Sequence, residues 1–197
     1  MLIELNRRAV LGTLEVAGRV RAGDLGRPTP CAGWSVLDLL VHMTVQHHGF
    51  AAAARGTGRD PAVWAIPARA PGDPVAAYTA AAQDVLDAFA DPATAQRRFD
   101  LPEISAEITF SATRAIGFHL IDYTVHGWDL ARAIDAPYTP DDDLLAAALP
   151  LAEAVPDGPT RLEPGAAFAP PLPPPDPATP LNRLLATLGR SPTWQPT

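Results

Sequence analysis

The chain has 197 residues, 47% of them hydrophobic, which is enough for one sizeable core. With 15 basic against 22 acidic residues the formal charge is −7, which argues against nucleic acid and anionic membrane surfaces as partners, because both require a basic patch. Cys31 is the single cysteine, so no intrachain disulfide forms, as suits a reducing compartment.

The opening residues MLIELNRRAV lack the apolar run and cleavage site of a signal peptide, and no stretch approaches a membrane span; the expectation is a cytoplasmic protein. Residues 3–22 predict a first helix, with Ile3, Val10, Leu14, Ala17 and Val20 at helical spacing. GRPTPCAGW follows; Pro28, Pro30 and Gly33 cannot continue a helix and make this a fixed loop. Cys31 within it reads as a buried small hydrophobe.

Ser35 is an N-cap with Asp38 in the first turn, and Trp34 is placed to pack back as part of a staple. Residues 35–54 predict the second helix. Leu39, Met43 and Phe50 form one apolar row, Val41 and Val45 another, and His42 falls between them with Gln46 one turn on. His47 and His48 point away from that face and read as exposed. Residues 56–74 read as a loop anchored by Trp64. Pro74 opens a third helix over 74–90, whose core face is Val75, Tyr78, Ala82, Val85, Leu86 and Phe89, and Pro92 stops it. Residues 98–110 alternate briefly, as a short hairpin or an extended crossover would.

Residues 111–135 read as one proline-free helix, SATRAIGFHLIDYTVHGWDLARAID. Its ionisable residues His119, Asp122, His126 and Asp129 are spaced three, four and three apart and fall within a sector of roughly 80°. The stripe lies between apolar rows and contains no lysine. It reads either as a narrow solvent face or as the lining of a polar cavity, where imidazoles and carboxylates bind a metal. Asp122 and His126, four apart, reach one ion from one helix, and His42 is the obvious third ligand. A further short helix covers 141–154. The ten prolines between Pro156 and Pro180 predict an extended surface segment in which Phe168 is a candidate anchor, before a last helical turn over 180–188 and a docking Trp194. Four main helices with little strand signal make an all-α bundle.

The segments PTPCAGWSVLDLLVHM, HLIDYTVHGWDLARAI and LNRLLATLGRSPTW together resemble the DinB-like superfamily. More narrowly, they resemble its actinobacterial branch, grouped with mycothiol-dependent maleylpyruvate isomerase. The resemblance implies a DinB-like up-and-down four-helix bundle over residues 1–155. It leaves 156–197 as a proline-rich extension whose short terminal helix packs on the bundle. It also implies one divalent metal, zinc or else nickel or iron, held by His42, Asp122 and His126. Many relatives carry His or Glu where this chain has the shorter Asp122. Kinship further implies mycothiol as cofactor, a small-molecule substrate, a homodimer, and an isomerase or S-transferase whose metal activates a thiol or water. Gln46 and His119 are the candidates for orienting or carrying a proton, and Arg55, Arg59 and Arg114 for holding substrate carboxylates. The alternative is a non-catalytic metal- or ligand-binding protein of the same fold.

Overall fold

A computed structural model describes residues 1–163 and 166–196. It is mostly helical, as a DinB-like fold requires, with one two-stranded ribbon. The helices are α1 (Leu2–Ala17), α2 (Val36–Arg55), α3 (Pro74–Ala90), α4 (Ala112–Ala133), α5 (Asp142–Glu153) and α6 (Pro180–Thr187). α1 packs on α4 and α3, and α2 packs on α3 and α4; α5 lies against α4, α1 and α6. The ribbon pairs β1 (Arg98–Asp100) with β2 (Thr109–Ser111) antiparallel, so the hairpin alternative for 98–110 is the one that forms.

Local chemistry sets the helix ends. Ser35 and Asp38 make a reciprocal capping box: Ser35 Oγ accepts from the Asp38 amide at 3.3 Å and Asp38 Oδ2 accepts from the Ser35 amide at 2.9 Å. Asp73 caps α3, which begins on Pro74, and Ser111 caps α4. α2 stops at Gly56, whose φ of +87° lies in the left-handed region that favours glycine.

The first helix ends five residues before its expected limit, and its inward face is rotated from the expected one. Ile3 is exposed, whereas Asn6 and Thr13 are fully buried. Both find partners across the core, the Asn6 amide nitrogen on His119 and the Thr13 hydroxyl on Tyr78, which offsets part of the cost of burying them; Asn6 Oδ1 stays without a partner among the described residues. α3 buries Tyr78, Ala82, Val85 and Phe89 as its spacing predicts, with Val75 and Leu86 half-buried.

Proline does not keep the C-terminal stretch wholly irregular, since Pro159–Leu162 form a 3₁₀ turn; Pro164 and Gly165 lie outside the described residues. Arg161 organises this region by donating to the carbonyls of Val155, Pro156, Ala169 and Thr187. Leu184, Leu185 and Leu188 enter the same core as α1, α2 and α4, and Phe168 and Trp194 pack on its edge.

Candidate metal centre

The loop before α2 positions half of the site. Val36 and Leu37 donate back to the carbonyls of Arg27 and Leu25, and Trp34 donates to Cys31 across a turn at Gly33, whose φ is +81°. This turn holds Cys31 against α4 and lays the Trp34 ring on His42, centroids 4.8 Å apart.

His42, Asp122 and His126 converge. Each offers one ligand atom, and the three atoms lie within 4.8 Å of one another. His126 Nε2 is 3.4 Å from Asp122 Oδ1, and the His42 and His126 rings meet edge to face at 5.2 Å. His126 is buried while the Asp122 side chain is 20% exposed and His42 is half-buried, so the group is open on one side.

The other face of His126 meets a second, fully enclosed group. Its Nδ1 is 3.0 Å from Asp129 Oδ2 and 3.9 Å from Cys31 Sγ. The Cys31 thiol donates to Asp129 Oδ2 at 3.1 Å. Arg190, just past α6, places Nε at 3.0 and 3.1 Å from the two Asp129 oxygens and a terminal nitrogen 3.2 Å from Cys31 Sγ. Cys31 is buried in the core as expected, and its thiol in addition joins a charged cluster with Asp129 and Arg190. Cys31, His126 and Asp129 also lie within metal-ligand distance of one another.

The charges of this region follow from these contacts. Burial pushes His42 down to about 4, with His126 and Arg190 acting the same way and Asp122 opposing, so His42 is neutral with its lone pair available. Burial would lower His126 as well, but Asp122, Asp129 and Cys31 outweigh it and hold this imidazole well above its ordinary value. Burial would raise Asp129; Arg190 and then His126 reverse that and keep its carboxyl below the usual range. Two carboxylates around one imidazole make this an environment that favours a cation.

His119, although on the same stripe, belongs elsewhere. Asn6 Nδ2 donates to its Nδ1 at 2.8 Å, which leaves His119 Nε2–H to donate to His47 Nδ1 at 3.1 Å. Both rings are fully buried, stacked on Tyr123 and bordered by Phe50, Phe89 and Tyr78. The expected exposure of His47 is thus wrong: its partner is a histidine 72 positions away, which no pattern within α2 reveals. His48 is exposed as expected. Gln46 is buried one turn beyond His42 and donates to Glu103 at 2.6 Å. Arg55 is paired with Asp84 and Arg59 lies near Asp100, while Arg114 stacks over Phe110 and Phe118. Sequence reasoning missed Arg190 as a partner of this region. The only signal for it was an arginine in the closing segment LNRLLATLGRSPTW.

Residues 7–131 match the mycothiol maleylpyruvate isomerase N-terminal domain, and the chain belongs to that family. Two uncharacterized proteins of Mycobacterium tuberculosis are each 32% identical over 188 residues, 94% of this chain and 96% of the relative; one is from strain CDC 1551 / Oshkosh and one from strain ATCC 25618 / H37Rv. No solved structure gives a significant match. Among the described residues, no helix is long and apolar enough to cross a membrane.

Proposed function

We propose that His42, Asp122 and His126 hold a divalent cation, zinc before nickel or iron, in a mycothiol-using isomerase or S-transferase acting on a small molecule. The observation that carries this reading is the convergence of three donors from two helices within 4.8 Å, on a face that stays partly open. Two imidazoles and one carboxylate are the donor set of catalytic zinc sites that keep a free coordination position. Asp is a short ligand, and here α4 brings it onto His126 through the four-residue spacing, so no longer side chain is needed to close the group. A cation held there supplies Lewis acidity and lowers the pKa of a thiol or water that reaches it.

The chain's own residues do the rest. His42 stays neutral and so remains a donor across the physiological range. Trp34 covers one side of the His42 ring and limits its rotation. Gln46, one helical turn beyond His42 on α2, has its buried amide held by Glu103. Family membership supports mycothiol as the thiol, because the matched model is the mycothiol maleylpyruvate isomerase N-terminal domain.

Elemental analysis of protein purified without a nickel column tests the cation. About one equivalent of a divalent metal is expected in the wild type, and His42→Ala should lose it. Unchanged metal content in His42→Ala would refute this ligand set. Turnover of maleylpyruvate or of electrophiles with mycothiol as co-reactant tests the chemistry. Metal without any such turnover would favour a binding protein.

A further inference from the structure

His126 has two ring nitrogens, and the structure treats them differently. Nε2 faces Asp122 and the His42 ring, and Nδ1 faces Asp129 at 3.0 Å. We propose that Asp129 is a positioning residue that fixes His126 in the Nδ1–H form with Nε2 presented to the cation, and that Arg190 in turn fixes Asp129. This inference rests on the metal reading above and assigns the residues that act behind it.

The surroundings of Asp129 argue for that role over direct ligation. Its carboxylate is fully buried and both oxygens are already engaged: Oδ1 by Arg190, and Oδ2 by Arg190, Cys31 and His126. The Arg190 guanidinium contacts both Asp129 and Cys31, so the negative charge of the Cys31, His126 and Asp129 group is already met by a cationic side chain. A carboxylate that accepts from one imidazole nitrogen selects the tautomer and makes the other nitrogen a better donor.

The backbone explains how so distant a residue arrives. α6 closes with the Arg190 amide donating to Leu185 O at 2.8 Å, through Gly189 at φ +75°. A Cβ at Gly189 would come within 2.6 Å of the Ala169 backbone. Glycine is required both for the left-handed turn and for the close approach. The C-terminal segment is therefore a structural support of the α4 histidine.

Three measurements on the full-length chain decide the matter. Zinc affinity is read by competition with a chromophoric chelator for wild type, Asp129→Asn, Arg190→Lys and His42→Ala, with thermal unfolding of each metal-free variant as the folding control. Asp129→Asn should bind zinc roughly 10–100-fold more weakly, the range for loss of an outer partner of a metal-bound histidine, and Arg190→Lys should shift in the same direction by less. Long-range ¹⁵N–¹H spectra of the zinc-loaded wild type should show His126 protonated on Nδ1 and zinc-bound through Nε2. This readout does not depend on any variant folding and tests which nitrogen binds; in zinc-loaded Asp129→Asn the Nδ1–H proton should move upfield as its charged acceptor is lost, which a purely structural role for Asp129 would not produce. Zinc on Nδ1, or a folded Asp129→Asn with wild-type affinity, overturns the inference and leaves the metal reading standing. A wild type that binds no zinc, or His42→Ala binding it equally well, overturns both.

Discussion

The buried pair His119 and His47 makes stability depend on pH in a way that can be calculated. Both imidazoles are fully enclosed. Burial lowers His119 to about 3, and lowers His47 well below its ordinary value with the His119 and His48 charges adding to the effect. In the unfolded chain each titrates near 6.5. Above that pH both states are neutral and the pair has no linkage effect. As pH falls below 6.5 the unfolded chain takes up protons that the folded chain refuses, so stability is lost with acidification. At pH 5, one and a half units below the unfolded value and still above the folded one, His119 alone costs about 2 kcal/mol relative to pH 7.5. His47 contributes with the same sign. The assay is urea unfolding at pH 7.5 and pH 5.0, with chelator present throughout so that metal release does not enter. His119→Gln lowers stability at both pH values because the Asn6 and His47 bonds are disturbed. The quantity of interest is the difference between the two pH values, which should shrink by about 2 kcal/mol compared with wild type. If His119→Gln keeps the full wild-type pH dependence, the imidazole is charged in the fold and the neutral relay from Asn6 to His47 is wrong.

Other expected outcomes concern packing and ends. Gly49→Ala would drive a Cβ to 2.2 Å from the Trp64 ring, which is itself tethered by its indole N–H to Gly58 O. The indole cannot step aside freely, so a loss of about 1–3 kcal/mol with a change in tryptophan fluorescence is expected in denaturant titration. Arg161→Ala removes donors from four backbone carbonyls and should cost about 3 kcal/mol, with protease cleavage appearing in the 156–180 segment in limited digestion. Ser35→Ala breaks the capping box of α2 and should cost about 1 kcal/mol by thermal unfolding, without loss of metal.

Much of the architecture was legible because helices announce themselves locally. Ser35, Asp73 and Ser111 cap α2, α3 and α4, and their starts are readable from a few neighbouring residues. The end of α1 was not: Val20 continued the apolar period, yet the chain turns at Gly18, and the segment after it is committed to the loop that carries Cys31 and Trp34. The convergence of His42 with Asp122 and His126 was readable from face and spacing alone. The stripe on α4 was less uniform than its period suggested. A shared face is a line along the axis, and ten residues of helix span roughly 15 Å. His119 at one end therefore meets α1 and α2 within the core, whereas Asp129 at the other meets the C-terminal segment.

What periodicity cannot supply is the partner of a buried polar group, because that partner comes from distant chain. Asn6 and His119 are 113 residues apart, Cys31 and Asp129 are 98, and Asp129 and Arg190 are 61. In each case a polar residue on an apolar face was a sign that a complement existed, since an uncompensated one would cost several kcal/mol. Asn6 and Thr13 on the inward side of α1 carried that sign as clearly as His42 did on α2. Arg190 carries it more strongly, because a guanidinium only 8% exposed needs buried acceptors, and here the Asp129 carboxylate supplies them. The stripe of α4, where carboxylates and imidazoles lie between apolar rows, is where such an anion was to be sought. That reasoning ties the C-terminal segment to α4 through charge, independently of the leucines of α6 that bury its apolar side.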